Sequence, residues 1–338
     1  MSTNGPFIDT KLILGVNDKV KLNSEGVEET QPSPHETPIE YDPNALPTAE
    51  AWKKMKGYGS FITQIKSIRA YDSENVWIRA KWFYHPTELP KKMQGATRLK
   101  EFGKYERINS NQADFISTDS CCGPAKMTEY DEQNVEQEDI EPESFYCRSE
   151  YDWHTKTIKR PSPPCSICNK VYNPDTDIMH FCPRTGCLRA WHASCLANAN
   201  WFFKSPVNFL QRMESLETSS LPSEPSPKKK VRIKKTQAAQ AIEALADSYA
   251  QIPADLLAIA RQPIVRGRSL GIVGNVRSVV RARKMLQNAL KGAESIPEDW
   301  LGALGTVYDA DVIAPPPTKA KKKGVPLAYE CPRCGEPI

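Results

Sequence analysis

Eight residues of this chain have the types and spacing to hold metal ions. Cys165-Ser-Ile-Cys168 opens the series, Cys182, Cys187, His192 and Cys195 follow, and Cys331-Pro-Arg-Cys334 closes it. A Cys-x-x-Cys knuckle can bring two thiolates to about 2.3 Å from one ion, and thiolates with an imidazole are the donors a tetrahedral zinc site takes. Four cysteines, one histidine and three cysteines supply two such sites with nothing left over. Four protein ligands per ion leave no coordination position for water, which points to structural zinc and away from catalytic zinc. A module this small has little core of its own. Metal binding would then supply its folding free energy, on the order of 10–16 kcal/mol per ion.

The rest of the 338-residue chain has room for two or three domains. The 28 prolines and the mean hydropathy of −0.55 predict globular pieces joined by polar linkers. The net charge of +4 hides an uneven distribution. Residues 129–143 are acidic (Glu129, Asp131, Glu132, Glu136, Glu138, Asp139, Glu141, Glu143) and read as a solvated loop. Lys228, Lys229, Lys230, Arg232, Lys234 and Lys235 form a basic cluster with the pattern of a nuclear import signal. Leu12-Ile-Leu14 is too short for a signal peptide and no apolar run approaches twenty residues, so neither export nor a membrane span is expected. Ten cysteines without an export signal favour metal over disulfides and a reducing compartment.

The elements upstream of the ladder read as β. Residues 17–22 suggest a first strand, 23–50 a Pro/Glu/Ser/Thr-rich insertion loop, and 52–55 a short helix. Phe61, Thr63, Ile65 and Ser67 alternate with Ile62, Gln64, Lys66 and Ile68. Val76, Ile78, Ala80, Trp82 and Tyr84 then share one predicted face, because a pleated strand has a period of two. Residues 114–117 and 145–148 add shorter β-like pieces, with Cys147 facing the core; Cys121 and Cys122 read as buried free thiols.

Lys81-Trp-Phe-Tyr-His-Pro86 resembles the tryptophan-aromatic-tyrosine-arginine-proline strand end of BAH (bromo-adjacent homology) domains. Glu106-Arg-Ile-Asn-Ser-Asn-Gln-Ala-Asp114 resembles the family's next landmark, and Phe145-Tyr-Cys-Arg-Ser-Glu-Tyr-Asp152 its closing strand. The resemblance covers residues 8–158. It implies a mostly β barrel over residues 1–160 with a loop insertion near 23–57. In members that read methyl-lysine, three aromatics form a cage. The resemblance carries those positions to Phe61, Trp82 and Tyr84, with Ser110 and Asp114 near the bound peptide. The chain departs from the pattern at Phe61, where the family has tyrosine, and at Gln112, where it has histidine. The alternative is that Trp82 and Tyr84 finish the barrel core.

The ligand order of the ladder resembles that of a PHD finger, whose two sites interleave. The resemblance assigns Cys165, Cys168, His192 and Cys195 to one zinc and Cys182, Cys187, Cys331 and Cys334 to the other. The finger would be split, 161–195 plus 324–338. Tyr172-Asn-Pro-Asp175 and Met179 match a tail-binding lobe, which makes Tyr172 and Met179 peptide-contact candidates, and Trp191 and Tyr329 match core aromatics. Fingers that read trimethyl-lysine carry tryptophan where this chain has Ala190. His180 lies outside the ladder and reads as a lone exposed histidine. A RING finger places its histidine earlier in the order.

The 135 residues between Cys195 and Cys331 form an insertion, and loop-closure cost grows slowly enough with length to tolerate it. It reads as a basic linker (215–236), a helical group (237–304) and a basic tether (315–323). Ala238, Ile242, Leu245 and Tyr249 suggest one helix and Leu256, Leu257 and Ile259 another begun at Pro253. Val276, Val279, Val280, Leu286 and Leu290 suggest a third stopped at Gly292, and 297–304 a last short one. Arg277, Arg281, Lys284 and Lys291 share a solvated face of the third.

No nucleophile elbow, Walker loop or framed pair of carboxylates is present, so an enzyme is not expected. The expected fold is multidomain: a β barrel, a zinc cross-brace finger and an α-helical insertion. The expected function is non-enzymatic chromatin binding in the nucleus, with a histone tail or nucleosome, DNA through basic segments, and other chromatin-complex subunits as partners. A RING-like ubiquitin-ligase component and an architectural scaffold are the alternatives.

Overall fold

A computed structural model describes residues 13–16, 61–70, 76–90, 99–160, 162–203, 209–217, 249–309 and 328–338. The elements expected at 17–22, 23–57 and 238–248, and the basic segments 228–235 and 315–323, lie outside the described residues. The chain divides into two compact units, Met1–Asp131 with Ile140–Pro161, and Glu132–Asp139 with Ser162–Ile338.

Unit 1 is a sheet of eight strands: β1 (Ile13–Val16), β2 (Phe61–Ala70), β3 (Val76–Tyr84), β4 (Glu106–Ser117), β5 (Cys121–Pro124), β6 (Met127–Glu129), β7 (Phe145–Asp152) and β8 (Thr157–Lys159). The strand order is β5-β1-β2-β3-β4-β7-β6, with β8 on β7. β4 and β6 run parallel to β7, and the other pairs are antiparallel. Period-two alternation holds where it was expected: Ile78, Ala80 and Ile116 are buried together, while Trp77 and Arg79 face out.

The register then slips. From Lys81↔Ala113 to Phe83↔Asn109, β3 advances two residues while β4 advances four. This bulge inserts two extra β4 residues opposite Trp82, an even number that keeps the same faces of β3 in step. Trp82 continues the inward row as a half-buried ring against Ile78, Ala80 and Ile116, Tyr84 is half-buried against Ile108 and Tyr151, and Phe83 is buried on the opposite face, where it pairs with Ile62. Below the bulge, Arg148 and Glu106 form a buried two-pronged ion pair at 3.0 and 3.1 Å, and Glu106 also accepts from the Gly103 amide. Cys147 is buried as expected, whereas Cys121 is only half-buried.

Unit 2 contains a three-stranded sheet and short helices: β9 (Met179–Cys182), β10 (Arg189–His192), α1 (Ala193–Asn198), α2 (Phe209–Glu214), α3 (Ala254–Ala260), β11 (Val265–Arg266), α4 (Val276–Leu290) and α5 (Trp300–Leu304). The order is β10-β9-β11, all antiparallel. The apolar stripe of α4 buries Val276, Val279, Val280 and Leu286 against Leu256, Ile259 and Phe181. Helix α4 ends where glycine permits a left-handed residue, Gly292 at φ +65°. No described helix is long and apolar enough to cross a membrane.

The acidic run is not simply a solvated loop. Residues 132–139 belong to unit 2, where Glu136 accepts from Arg281 at 2.7 Å and Lys284 at 2.6 Å. The face of α4 expected to meet solvent is thus partly neutralised by a segment 145 residues away in sequence. Arg283, on the same helix, is buried and donates to the Ala260 and Gln262 carbonyls; burial draws its pKa down to about 9, so it stays charged.

Candidate metal centres and aromatic site

The eight ladder residues fall into two groups, Cys165, Cys168, His192 and Cys195, and Cys182, Cys187, Cys331 and Cys334. Within each group the ligand atoms all lie within 4.8 Å of one another. Local backbone builds the knuckles: the Asn169 amide donates to the Cys165 carbonyl at 2.7 Å and the Gly335 amide to the Cys331 carbonyl at 2.9 Å. Each knuckle turns through a left-handed residue, Asn169 at φ +56° and Gly335 at φ +68°.

Distances decide what such groups can hold. Cys182 Sγ lies 3.7 Å from Cys334 Sγ, and Cys187 Sγ 3.6 Å from Cys331 Sγ. A disulfide needs about 2.05 Å, so these are not bonded pairs. Four sulfurs at about 2.3 Å from a central ion at tetrahedral angles would stand about 3.8 Å apart, which these separations match. In the other group, His192 Nδ1 lies 3.4 Å from Cys168 Sγ and 3.8 Å from Cys195 Sγ. A tetrahedral site with one nitrogen ligand asks for about 3.6 Å. Both clusters fit a metal ion.

The surroundings fit as well. His192 turns Nε2 toward the Asp177 carboxylate at 3.4 Å, leaving Nδ1 for the ion; a metal-bound imidazole characteristically has such a partner. Arg184 is buried and donates to Cys182 Sγ at 3.5 Å and to the Pro337 carbonyl at 3.1 Å, which favours the thiolate and ties the C-terminal knuckle to β9. Trp191 is buried with its indole N–H on Ser166 Oγ, and Tyr329 packs on Phe202 at 5.4 Å.

His180 corrects its expectation. It is buried, not exposed, with its ring centre 4.7 Å from that of Tyr329, and burial lowers its pKa to about 4, so it is neutral at pH 7. Tyr172 and Met179, the peptide-contact candidates of the finger, are also buried. Their cover comes from the insertion. Arg266 of β11 pairs with Met179, and Tyr172 donates to the Ile272 carbonyl at 3.3 Å. Two glycines permit this approach: a Cβ at Gly267 would sit 2.2 Å from the Asp177 carbonyl oxygen, and one at Gly274 2.0 Å from that of Val265. Ala190 packs against the helical core, where a larger ring would displace it.

The aromatic candidates of unit 1 meet a different environment. Phe61 stands edge-on to Trp82, ring centres 6.2 Å apart at 73°. Polar groups of β4 meet the edges of the Trp82 and Tyr84 rings. Trp82 Nε1 donates to Asp114 Oδ2, Gln112 Nε2 donates to the same oxygen at 3.1 Å, and the Tyr84 hydroxyl donates to Gln112 Oε1. Ser110 Oγ accepts from the Gln112 amide at 3.0 Å. One chain of hydrogen bonds therefore links Trp82, Tyr84, Gln112 and Asp114. Burial, then the charges of Asp114 and Glu88, hold the Tyr84 phenol well above its ordinary pKa, so it remains a donor.

Sequence reading missed Trp153. It stacks on Tyr84 (6.4 Å, 13°), meets the edge of Tyr151 (6.2 Å, 89°), and carries Lys156 Nζ 3.2 Å from its ring centre. Asn111 accepts from its amide, and Asp152 accepts from the His154 and Thr155 amides to set the turn. An aromatic next to a turn-forming aspartate was a visible signal, but its neighbours were not.

No family model matches the chain, and no curated protein matches it. Among solved structures the chain is similar to the crystal structure of the yeast Rsc2 BAH domain, at 15% identity over 30% of this chain and 42% of that one, with a TM-score of 0.22.

Proposed function

We propose that this protein is a non-enzymatic chromatin reader of the nucleus, in which a BAH-type unit captures a methylated lysine of a histone tail and a PHD-type finger folds on two structural zinc ions. The observation that carries the reading is the half-buried ring pair of Phe61 and Trp82, linked to Tyr84 by the hydrogen bonds of Asp114 and Gln112. A quaternary ammonium gives up water cheaply and is attracted to ring faces, and the Asp114 carboxylate adds negative charge beside the indole. The closed four-ligand clusters support a structural role for zinc. Lys228 to Lys235 would serve import, and the basic segments would add salt-dependent affinity for DNA.

The test is binding of methylated and unmodified histone peptides to the full chain and to Trp82→Ala. The expected result is a loss of about tenfold or more for the methylated peptide, with the melting temperature changed by a few degrees. Equal binding of both peptides by the wild-type chain, or collapse of stability in the variant, would favour core packing instead.

A further inference from the structure

We propose that the outer face of β2, β3 and β4 is a docking surface for single-stranded nucleic acid. Direct cross-strand partners lie on the same face of a sheet. The register pairs Arg69 with Trp77 and Ser67 with Arg79 across β2 and β3, then Trp77 with Ser117 and Arg79 with Phe115 across β3 and β4. These six positions form one patch with two arginines, two aromatics and no carboxylate. Trp77 is 42% and Phe115 46% exposed, while Ile78, Ala80 and Ile116 on the reverse face are buried. The core therefore does not account for the two outward rings. Arg69 reaches across to lie 5.8 Å from the Phe115 ring centre, so guanidinium and ring already share the surface.

The chemistry selects the occupant. Exposed ring faces stack on bases, and planar guanidinium groups pair with phosphate. Cationic peptides are repelled by two arginines. A duplex keeps its bases stacked on one another and offers these rings nothing, whereas a single strand presents every base face. Lys81 closes the patch at its lower end, where it borders a cavity also lined by Glu150 and Asp152; the positive stretch stops there.

The experiment uses the full chain with Lys228 to Lys235 neutralised to glutamine at its six basic positions, so that the cluster does not mask the effect. Labelled single strands and a duplex of equal length are titrated at several salt concentrations, reading anisotropy and tryptophan fluorescence. Preference for the single strand is expected, with quenching. Trp77→Ala with Phe115→Ala should weaken it about tenfold or more. Arg69→Gln with Arg79→Gln should lower the salt slope by about 1.4, from roughly 0.7 per lost phosphate contact. Both pairs lie on the surface, and an unchanged melting temperature verifies folding. Absence of binding, equal or better binding of the duplex, or unchanged affinity in the aromatic double variant would overturn the proposal.

Discussion

The two groups of candidate recognition residues, one in each unit, meet opposite fates. In unit 1, Phe61, Trp82 and Tyr84 stay half-buried, and the bulged strand β4 supplies Gln112 and Asp114 as polar partners at the edges of the Trp82 and Tyr84 rings. In unit 2, Tyr172 and Met179 are buried, because β11 of the insertion adds to the edge of β9. A free strand edge is a ready docking site for an extended peptide, and here the chain's own strand takes that place. The difference teaches that residue type does not make a reading surface. What covers the residue does.

The largest expected effect tests the closed side. Cys331→Ser removes a ligand from the all-cysteine cluster and should cost one metal ion per chain and the folding of unit 2, since binding free energy there is on the order of 10 kcal/mol or more. Native mass spectrometry counts the ions; retention of two would break the assigned grouping. Gly274→Ala comes next. Its Cβ would collide with the Val265 carbonyl at a backbone φ of +67°, so β11 should be displaced at a cost of at least about 1–3 kcal/mol. Amide hydrogen exchange should rise at Phe181, whose amide donates to the Ile264 carbonyl beside β11 at 2.9 Å. Unchanged protection would mean the cover does not depend on that close approach.

The smallest effect concerns Glu136. Burial works to raise its pKa, but the hydrogen bonds and charges of Lys284 and Arg281 outweigh it and leave it lowered. A carboxylate depressed in the folded state stabilises it above the ordinary value of 4.5 and loses that contribution as pH falls through the folded value. The pair is partly exposed, so Glu136→Gln should cost about 1 kcal/mol or less at pH 7 and nothing well below pH 4. Chemical denaturation at the two pH values measures the difference. An equal loss at both would point to packing of the segment 132–139 rather than to charge.

Local chemistry was legible. The knuckles at Cys165 and Cys331, the alternation of Val76 to Ala80, and the glycine stop of α4 at Gly292 are each set by neighbours within a few residues, where spacing and backbone preference decide the outcome. The types and spacing of the eight cysteine and histidine residues are those of two metal-binding clusters.

Tertiary structure alone decided the rest. The two-residue slip opposite Trp82, the stacking of Trp153 on Tyr84, the burial of His180, the covering of β9 by β11, and the capture of Arg281 by Glu136 all join residues far apart in sequence. Periodicity records which face of one element is apolar, and it carries no information about which distant segment will lie against that face. The candidate metal ligands belonged to the sequence; whether an aromatic is open or covered belonged to the fold.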